Sequence, residues 1–186
     1  MLPGRFINAD VIARTINPTR PEKATIAAGK RVLHDLRHAI ATRADFIYET
    51  TLSSRQSLDL MIDARDAGYE VGLAFVALRA ATLNVERVAQ RVEKGGHDIP
   101  ETVIRRRYET SLRNLTIAIG LAHGVVIYDN SDLGGPRLIV QIAAGQLEVS
   151  DLDAAEPYHR RIASSVAIAI GTDIEEILRR RGAPMA

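Results

Sequence analysis

Short β-rich runs alternate with longer helical patterns along this 186-residue chain, and that rhythm limits its fold more than any other feature. Residues 5–10 read as a strand, and 21–42 as a helix with Pro21 in its first turn. Residues 45–50 read as a second strand, followed by a helix over 54–67 with Ser54 as N-cap and Gly68 just past its end. EVGLAFVAL, residues 70–78, is the most apolar strand, and a continuous apolar run predicts burial on both faces, as in a parallel sheet. A helix over 82–94 stops at Gly95-Gly96, and Pro100 opens a long helix to residue 122. Strands follow at 125–129 and 137–142. Residues 143–186 are expected as a helical tail, in which Thr172 and Glu175 have capping-box spacing and the last helix ends at Gly182. This order predicts an α/β fold of three layers: a mainly parallel sheet with helices on both faces, in a single domain over 1–186.

Composition narrows the function. Hydrophobic residues make up 46% and charged residues 25%, as in ordinary globular chains. No apolar run reaches membrane length and no signal-peptide pattern occurs, so the sequence reads as cytoplasmic. The absence of cysteine removes disulfides, thiol nucleophiles and cysteine-zinc sites together. A net charge of +1 and only 4% aromatic residues argue against a general attraction to nucleic acid or a base-stacking platform. The runs Arg105-Arg106-Arg107 and Arg179-Arg180-Arg181 keep that reading open, and it predicts a steep loss of affinity with salt.

Three strand-like runs each finish in a carboxylate: Asp10 in RFINADVIA, Glu49 in DFIYETTLSS and Asp129 in GVVIYDNSD. In an open α/β sheet, ligands bind beyond the carboxyl ends of the strands, and parallel strands would bring all three to one edge. Acidic groups gathered there can hold a metal ion, accept a proton from a hydroxyl or grip sugar hydroxyls. The plainer alternative is that each begins a loop and caps the next helix.

Arg87 and Arg91 are four apart on one helix face, and Arg105, Arg106 and Arg107 follow after the GGHDIP loop. Successive helical residues point about 100° apart, so one or two of the later set could join Arg91 in a cationic clamp suited to phosphate oxygens. The alternative is a solvated face with ion pairs to Glu86, Glu93, Glu101 and Glu109. His97 lies in the loop at 95–100, which reads as mobile, like 131–136. His34 and His38 have i, i+4 spacing, but no third metal ligand accompanies them. No GxSxG nucleophile pattern occurs.

With those residues in view, FINADVIA, PEKATIAAGK, FIYETTLSS, AGYEV, NVERVAQRVEKGGHDIPETVIRRRY, SLRNL and YDNS follow one another in an order that resembles the zeta-toxin-like P-loop kinases, specifically their bacterial "predicted ATPase" branch. The resemblance covers residues 5–140, and GGHDIPETVIRRRY and ETTLSS are its most specific pieces. It implies a P-loop-kinase-like fold that moves the γ-phosphate of ATP, with Mg²⁺, to a hydroxyl of UDP-N-acetylglucosamine, and an antitoxin protein as a partner. By resemblance, Asp10 falls on the base for the substrate hydroxyl, and Arg91 with Arg105 or Arg106 on the lid arginines of the 95–100 loop. Asn8, Glu49, Thr50 and Thr51 fall on the substrate side, with Glu49 also facing the metal. Arg87, Asp129 and Asn130 fall near the nucleotide.

One part of the family pattern is missing. A P-loop kinase needs GxxxxGK[ST] after its first strand, where backbone N–H groups cradle the phosphates. The Gly-Lys pair here, Gly29-Lys30, has Ala24 where the first glycine belongs and Arg31 where Ser or Thr belongs, and it lies within a helical pattern. The resemblance therefore implies that the first strand, the loop and the first helix are absent from these residues. It also implies that the strands at 45–50 and 70–78, which would flank the missing strand, must pair directly or keep open edges. Either a start set too late, a decayed gene or a shortened chain with a binding role explains this. Acting alone, such a chain is expected to be close to inactive.

Overall fold

The computed structural model describes residues 4–179. Its elements run β1 (Arg5–Ile7), α1 (Ala9–Ile16), a 3₁₀ turn (Pro21–Ala24), α2 (Thr25–Thr42), β2 (Phe46–Tyr48), α3 (Arg55–Asp66), β3 (Gly72–Ala77), α4 (Ala81–Glu93), α5 (Glu101–Leu121), β4 (Gly124–Asp129), β5 (Arg137–Ala143), β6 (Gln146–Ser150), α6 (Pro157–Ile170) and α7 (Ile174–Arg179). The class is the expected α/β, with helices around the sheets. The strands form two sheets, however: β1 with β2, and β3-β4-β5-β6. The pairs β1–β2 and β3–β4 are parallel; β4–β5 and β5–β6 are antiparallel. Where one domain was expected, the chain divides into two compact units, Met1–Thr51 and Leu52–Ala186.

In the first unit, Gly4 lets the chain enter β1. Its φ is +139°, and a Cβ there would lie 3.1 Å from the backbone of Asp45 and Phe46. β1 ends at Ile7, three residues earlier than the sequence suggests, because Asn8 caps a helix that the apolar run had hidden. Ile7, Ala13, Ala24, Ala28, Val32, Leu36 and Ala39 are buried. Asp35 is buried as well, and takes hydrogen bonds from Arg5 (2.7 Å) and from Arg31 Nε (2.9 Å), with His34 Nδ1 at 3.4 Å. Burial would raise its pKa, but the hydrogen bonds from Arg31 and His34 and the charges of Arg31 and Arg5 outweigh burial and hold the carboxyl below its ordinary value. A depressed folded pKa means stability that is present above the unfolded carboxylate pKa, about 3.9, and lost as pH falls through the folded value. Asp35→Asn is expected to cost about 1–2 kcal/mol at pH 7, discounted because both arginines are more than half exposed. Hydrogen exchange of the α2 amides measures this, and the difference from the parent chain should shrink as pH falls below the unfolded carboxylate value.

The second unit has one continuous core. Leu115, Ala118 and Ile119 of α5 meet Val125 and Ile127 of β4, Ile139, Val140 and Ile142 of β5, Leu147 of β6, and Ile162, Ala163 and Val166 of α6. β3 differs from the expectation of burial on both faces. Among the described strands it pairs with β4 alone, its residues alternate exposed and half-buried up to the buried Ala77, and Val76 is 55% exposed. The ladder bonds His123 N–H to Val71 O and Asn130 N–H to Ala77 O turn the odd-numbered residues toward β4. The N–H and C=O groups of Gly72, Ala74 and Val76 therefore point to the open side. An apolar run can mark an edge strand as readily as a central one, since composition does not count neighbours.

Two further expectations change. Residues 143–186, read as a helical tail, contain β6, which forms a hairpin with β5 across Ala144 and Gly145, both at positive φ. Asp173, not the Thr172–Glu175 pair, opens α7: its carboxylate accepts the Glu175 N–H (2.8 Å), and the Thr172 hydroxyl donates to Glu176 (2.8 Å). The predicted stop at Gly182 lies outside the described residues, as do Arg180 and Arg181. Among the described residues no helix is long and apolar enough to cross a membrane.

Candidate functional site

The first unit places one group of the expected residues. β1 and β2 run parallel with Ile7 opposite Tyr48, and the Glu49 N–H extends the ladder to Ile7 O (3.1 Å). Their carboxyl ends therefore share one edge. Asn8 serves two elements there. Its Oδ1 accepts the Val11 N–H (2.9 Å) and caps α1, while its Nδ2 donates to Glu49 Oε2 (2.6 Å). Asp10 sits two residues on, exposed, in the first turn of α1 rather than at the tip of a strand, where the helix dipole favours a carboxylate. Thr50 and Thr51 follow Glu49 and are exposed. Asp10 and Glu49 thus lie at the same rim, by way of a helix cap that the sequence reading had taken as strand.

The second unit holds the arginines and the 129–131 loop. Arg91 is exposed near the end of α4, and Gly96 turns back onto it, with its N–H on Arg91 O (2.9 Å). A Cβ at Gly96 would lie 2.7 Å from Arg91 Cγ, so glycine is required for that turn. Arg105, Arg106 and Arg107 are all exposed on α5. Arg105 pairs with Glu101 one turn earlier (2.6 Å), as the plainer reading expects. The Arg87 guanidinium donates to the Asn130 carbonyl (2.5 Å), which ties α4 to the loop after β4.

Asp129 ends β4, but period-two alternation with Val125 and Ile127 turns its side chain inward, and it is 7% exposed. Its Oδ1 accepts the Ser131 N–H (2.9 Å) and Ser131 hydroxyl (2.5 Å), and its Oδ2 accepts the Tyr158 hydroxyl. Arg137 stands 3.8 Å away. Burial alone would raise the Asp129 pKa; the hydrogen bonds from Ser131 and Tyr158 overcome that and keep it below its ordinary value. Tyr158 is pushed up, by burial first and then by its bond to Asp129. His159 Nδ1 accepts the Asp153 N–H (3.0 Å), so Nε2 carries the proton; it lies 3.7 Å from Asp129 with no hydrogen bond. Burial lowers the His159 pKa and keeps the ring neutral near pH 7. The Ser131 hydroxyl also accepts the Arg79 N–H (2.9 Å), and Arg79 pairs with Asp132. Asp129 is therefore the internal anchor of the loop that presents Asn130 to Arg87.

Sequence reasoning missed Tyr158, His159 and Arg137, which come from distant elements and carry no local signal. It also missed Leu52, a buried non-glycine residue at φ +53°, whose carbonyl accepts Asn114 Nδ2 (2.9 Å) just after the ETT run.

The family model described as zeta toxin matches residues 13–133. The chain belongs to the zeta toxin family. An uncharacterized protein of Haemophilus influenzae (strain ATCC 51907 / DSM 11121 / KW20 / Rd) is 34% identical to it over 102 residues, which is 55% of this chain and 73% of that protein. No solved structure matches. Membership in the zeta toxin family places the chain among kinase-like phosphotransferases.

The zeta-type donor set fits its small-molecule ligands unequally. Mg²⁺ is usually held by one or two carboxylates together with substrate phosphates, and Glu49, exposed and with one oxygen taken by Asn8, supplies one. Among the described residues, no group of three or more His, Asp or Glu side chains could share a metal ion. Gly29 and Lys30 lie inside α2 and form no phosphate loop, so these residues do not fit the triphosphate of ATP.

Proposed function

We propose that this chain carries the acceptor-binding and base-bearing part of an ATP-dependent phosphotransferase, acting on a hydroxyl of a small nucleotide-sugar-like substrate such as UDP-N-acetylglucosamine. The Asn8–Glu49 hydrogen bond carries the reading, because it fixes a carboxylate at the rim where α1 begins and Asp10 stands exposed. Asp10 accepts the proton of the attacking hydroxyl. Glu49, with Thr50 and Thr51, grips and orients the acceptor, and Asn8 keeps the Glu49 carboxylate in one rotamer. Arg91 with Arg105 or Arg106 meets the charge on the transferring group. In the family, ATP with Mg²⁺ supplies the phosphoryl group; a cradle for its triphosphate is not among these residues, so transfer by this chain alone is expected to be close to nil. An antitoxin protein that covers the acidic rim is the proposed macromolecular partner.

A second reading rests on the missing GxxxxGK[ST] in these 186 residues: the chain binds a nucleotide sugar or a protein and transfers nothing. Calorimetric titration with UDP-N-acetylglucosamine, beside a transfer assay with γ-labelled ATP, separates the two. Both readings expect saturable sugar-nucleotide binding, weakened about ten-fold by Glu49→Gln and by several-fold in Asn8→Ala, as loss of a charge-assisted hydrogen bond predicts. Labelled product supports the phosphotransferase, binding without product supports the nucleotide-sugar module, and absence of binding removes both and leaves only a protein-binding role.

A further inference from the structure

The second unit has a groove of about 500 Å³ between α5 and α6 whose lining contains no acidic side chain. Arg113, Arg160, Arg161, Thr116, Ser164 and Ser165 line it, with apolar Leu112 beside them. None of these belongs to the carboxylate rim or to the 129–131 loop. Two of the guanidinium groups are held from outside. Glu109 takes two hydrogen bonds from Arg161 (2.8 and 3.3 Å), and Glu175 takes one from Arg160 (3.1 Å). Arg113 donates to the Thr110 hydroxyl (2.9 Å) and makes no direct carboxylate ion pair among the described residues, while its charge acts on Glu109 one turn back, so three guanidinium groups share two carboxylates.

The hydroxyls add an independent sign. Ser165 is 8% exposed, yet its hydroxyl makes no hydrogen bond among the described residues. A buried serine in a helix ordinarily bonds a carbonyl one turn back, whereas Ser165 lines the groove. Thr116 and Ser164 likewise have hydroxyls with no protein partner among the described residues. Guanidinium forks that carry spare donors, next to hydroxyls that lack acceptors, match the oxygens of a phosphoryl group. The volume falls within the range of small-molecule sites, and Leu112 offers an apolar surface for the organic part.

We propose that the α5–α6 groove is a binding site for a small phosphorylated molecule, with Arg113 and Ser165 as its main contacts to the phosphoryl oxygens. None of its residues belongs to the acceptor rim, and it stands whether or not that rim transfers phosphate.

NMR titration of the full chain with inorganic pyrophosphate and with UMP tests this. Saturable shifts confined to α5 and α6 are expected. Arg113→Gln should weaken binding about ten-fold, and Ser165→Ala by several-fold, as expected for one charge-assisted and one neutral hydrogen bond. Arg79→Gln, outside the groove lining, should leave the affinity unchanged. Arg113 is exposed, so its variant should fold, and unchanged dispersion of the amide spectrum checks that. Tighter binding of UMP than of pyrophosphate assigns the organic part to the Leu112 side; equal binding assigns the site to the phosphoryl group alone, and either result supports it. Non-saturating shifts spread over the exposed arginines overturn the proposal, as does an affinity unmoved by both substitutions.

Discussion

Asp129→Ala is expected to destabilise the second unit by about 3 kcal/mol, because it leaves buried donors without an acceptor. The Tyr158 hydroxyl, the Ser131 N–H and the Ser131 hydroxyl all depend on this one carboxylate. Asp129→Asn keeps the shape and one acceptor oxygen but loses the charge, and should cost less than half as much. The folded carboxyl lies below its ordinary pKa. Its contribution is therefore fully present above the unfolded value of about 3.9 and disappears as pH falls through the folded one. Urea denaturation at pH 7 and at lower pH reads both effects, and the part of the gap that rests on the charge should shrink as pH falls below the unfolded value. Local consequences should reach further than the core. With Asp129 gone, Ser131 no longer holds the Arg79 N–H in place, and Asn130 no longer meets Arg87 in a fixed position. Hydrogen exchange at residues 130–132 should accelerate more than in the middle of β4. A variant within 0.5 kcal/mol of the parent would show that the loop has another anchor.

Asp10→Asn should leave sugar-nucleotide affinity within about two-fold and lower phosphoryl transfer by about 10²–10⁴, the usual contribution of a positioned general base. The expectation follows from where the residue sits. Asp10 is exposed in the first turn of a helix whose cap, Asn8, is hydrogen-bonded to Glu49, so its carboxylate faces solvent at the rim rather than serving the core. Asparagine keeps the size and the helix position and removes only the ability to take a proton. Transfer from γ-labelled ATP to UDP-N-acetylglucosamine should be followed with enzyme in excess, since residues without a glycine-rich phosphate loop turn over slowly. Equal rates for the parent chain and Asp10→Asn would take the base role away from Asp10. A matching loss in sugar-nucleotide binding would instead make it a contact residue.

Particular residues show how far the sequence alone could be read. Ser54 before α3, Gly68 after it and Pro100 before α5 mark helix ends through local chemistry, and each element starts or stops within a residue or two of its mark. Asp10 and Glu49 could be assigned to one edge, because parallel pairing of their strands follows from the order of elements. The first helix was harder to see. FINADVIA is apolar enough to pass for strand, and only the Asn8 cap reveals the turn into α1. β6 was lost for the opposite reason, since QLEVS is short and mixed in character.

Tertiary pairing decided the rest. The amino-acid order alone set the α/β class, the boundaries of α3 and α5, the zeta-type motifs and the absence of a phosphate-loop motif within these residues, because each of these is written in local spacing. Only the folded chain could show that β3 has β4 for its sole strand partner among the described residues, that Asp129 turns inward to Tyr158, and that Arg113 and Ser165 share a groove without a carboxylate. Those outcomes depend on which distant element arrives beside a residue, and no periodicity along the chain encodes its neighbours across space.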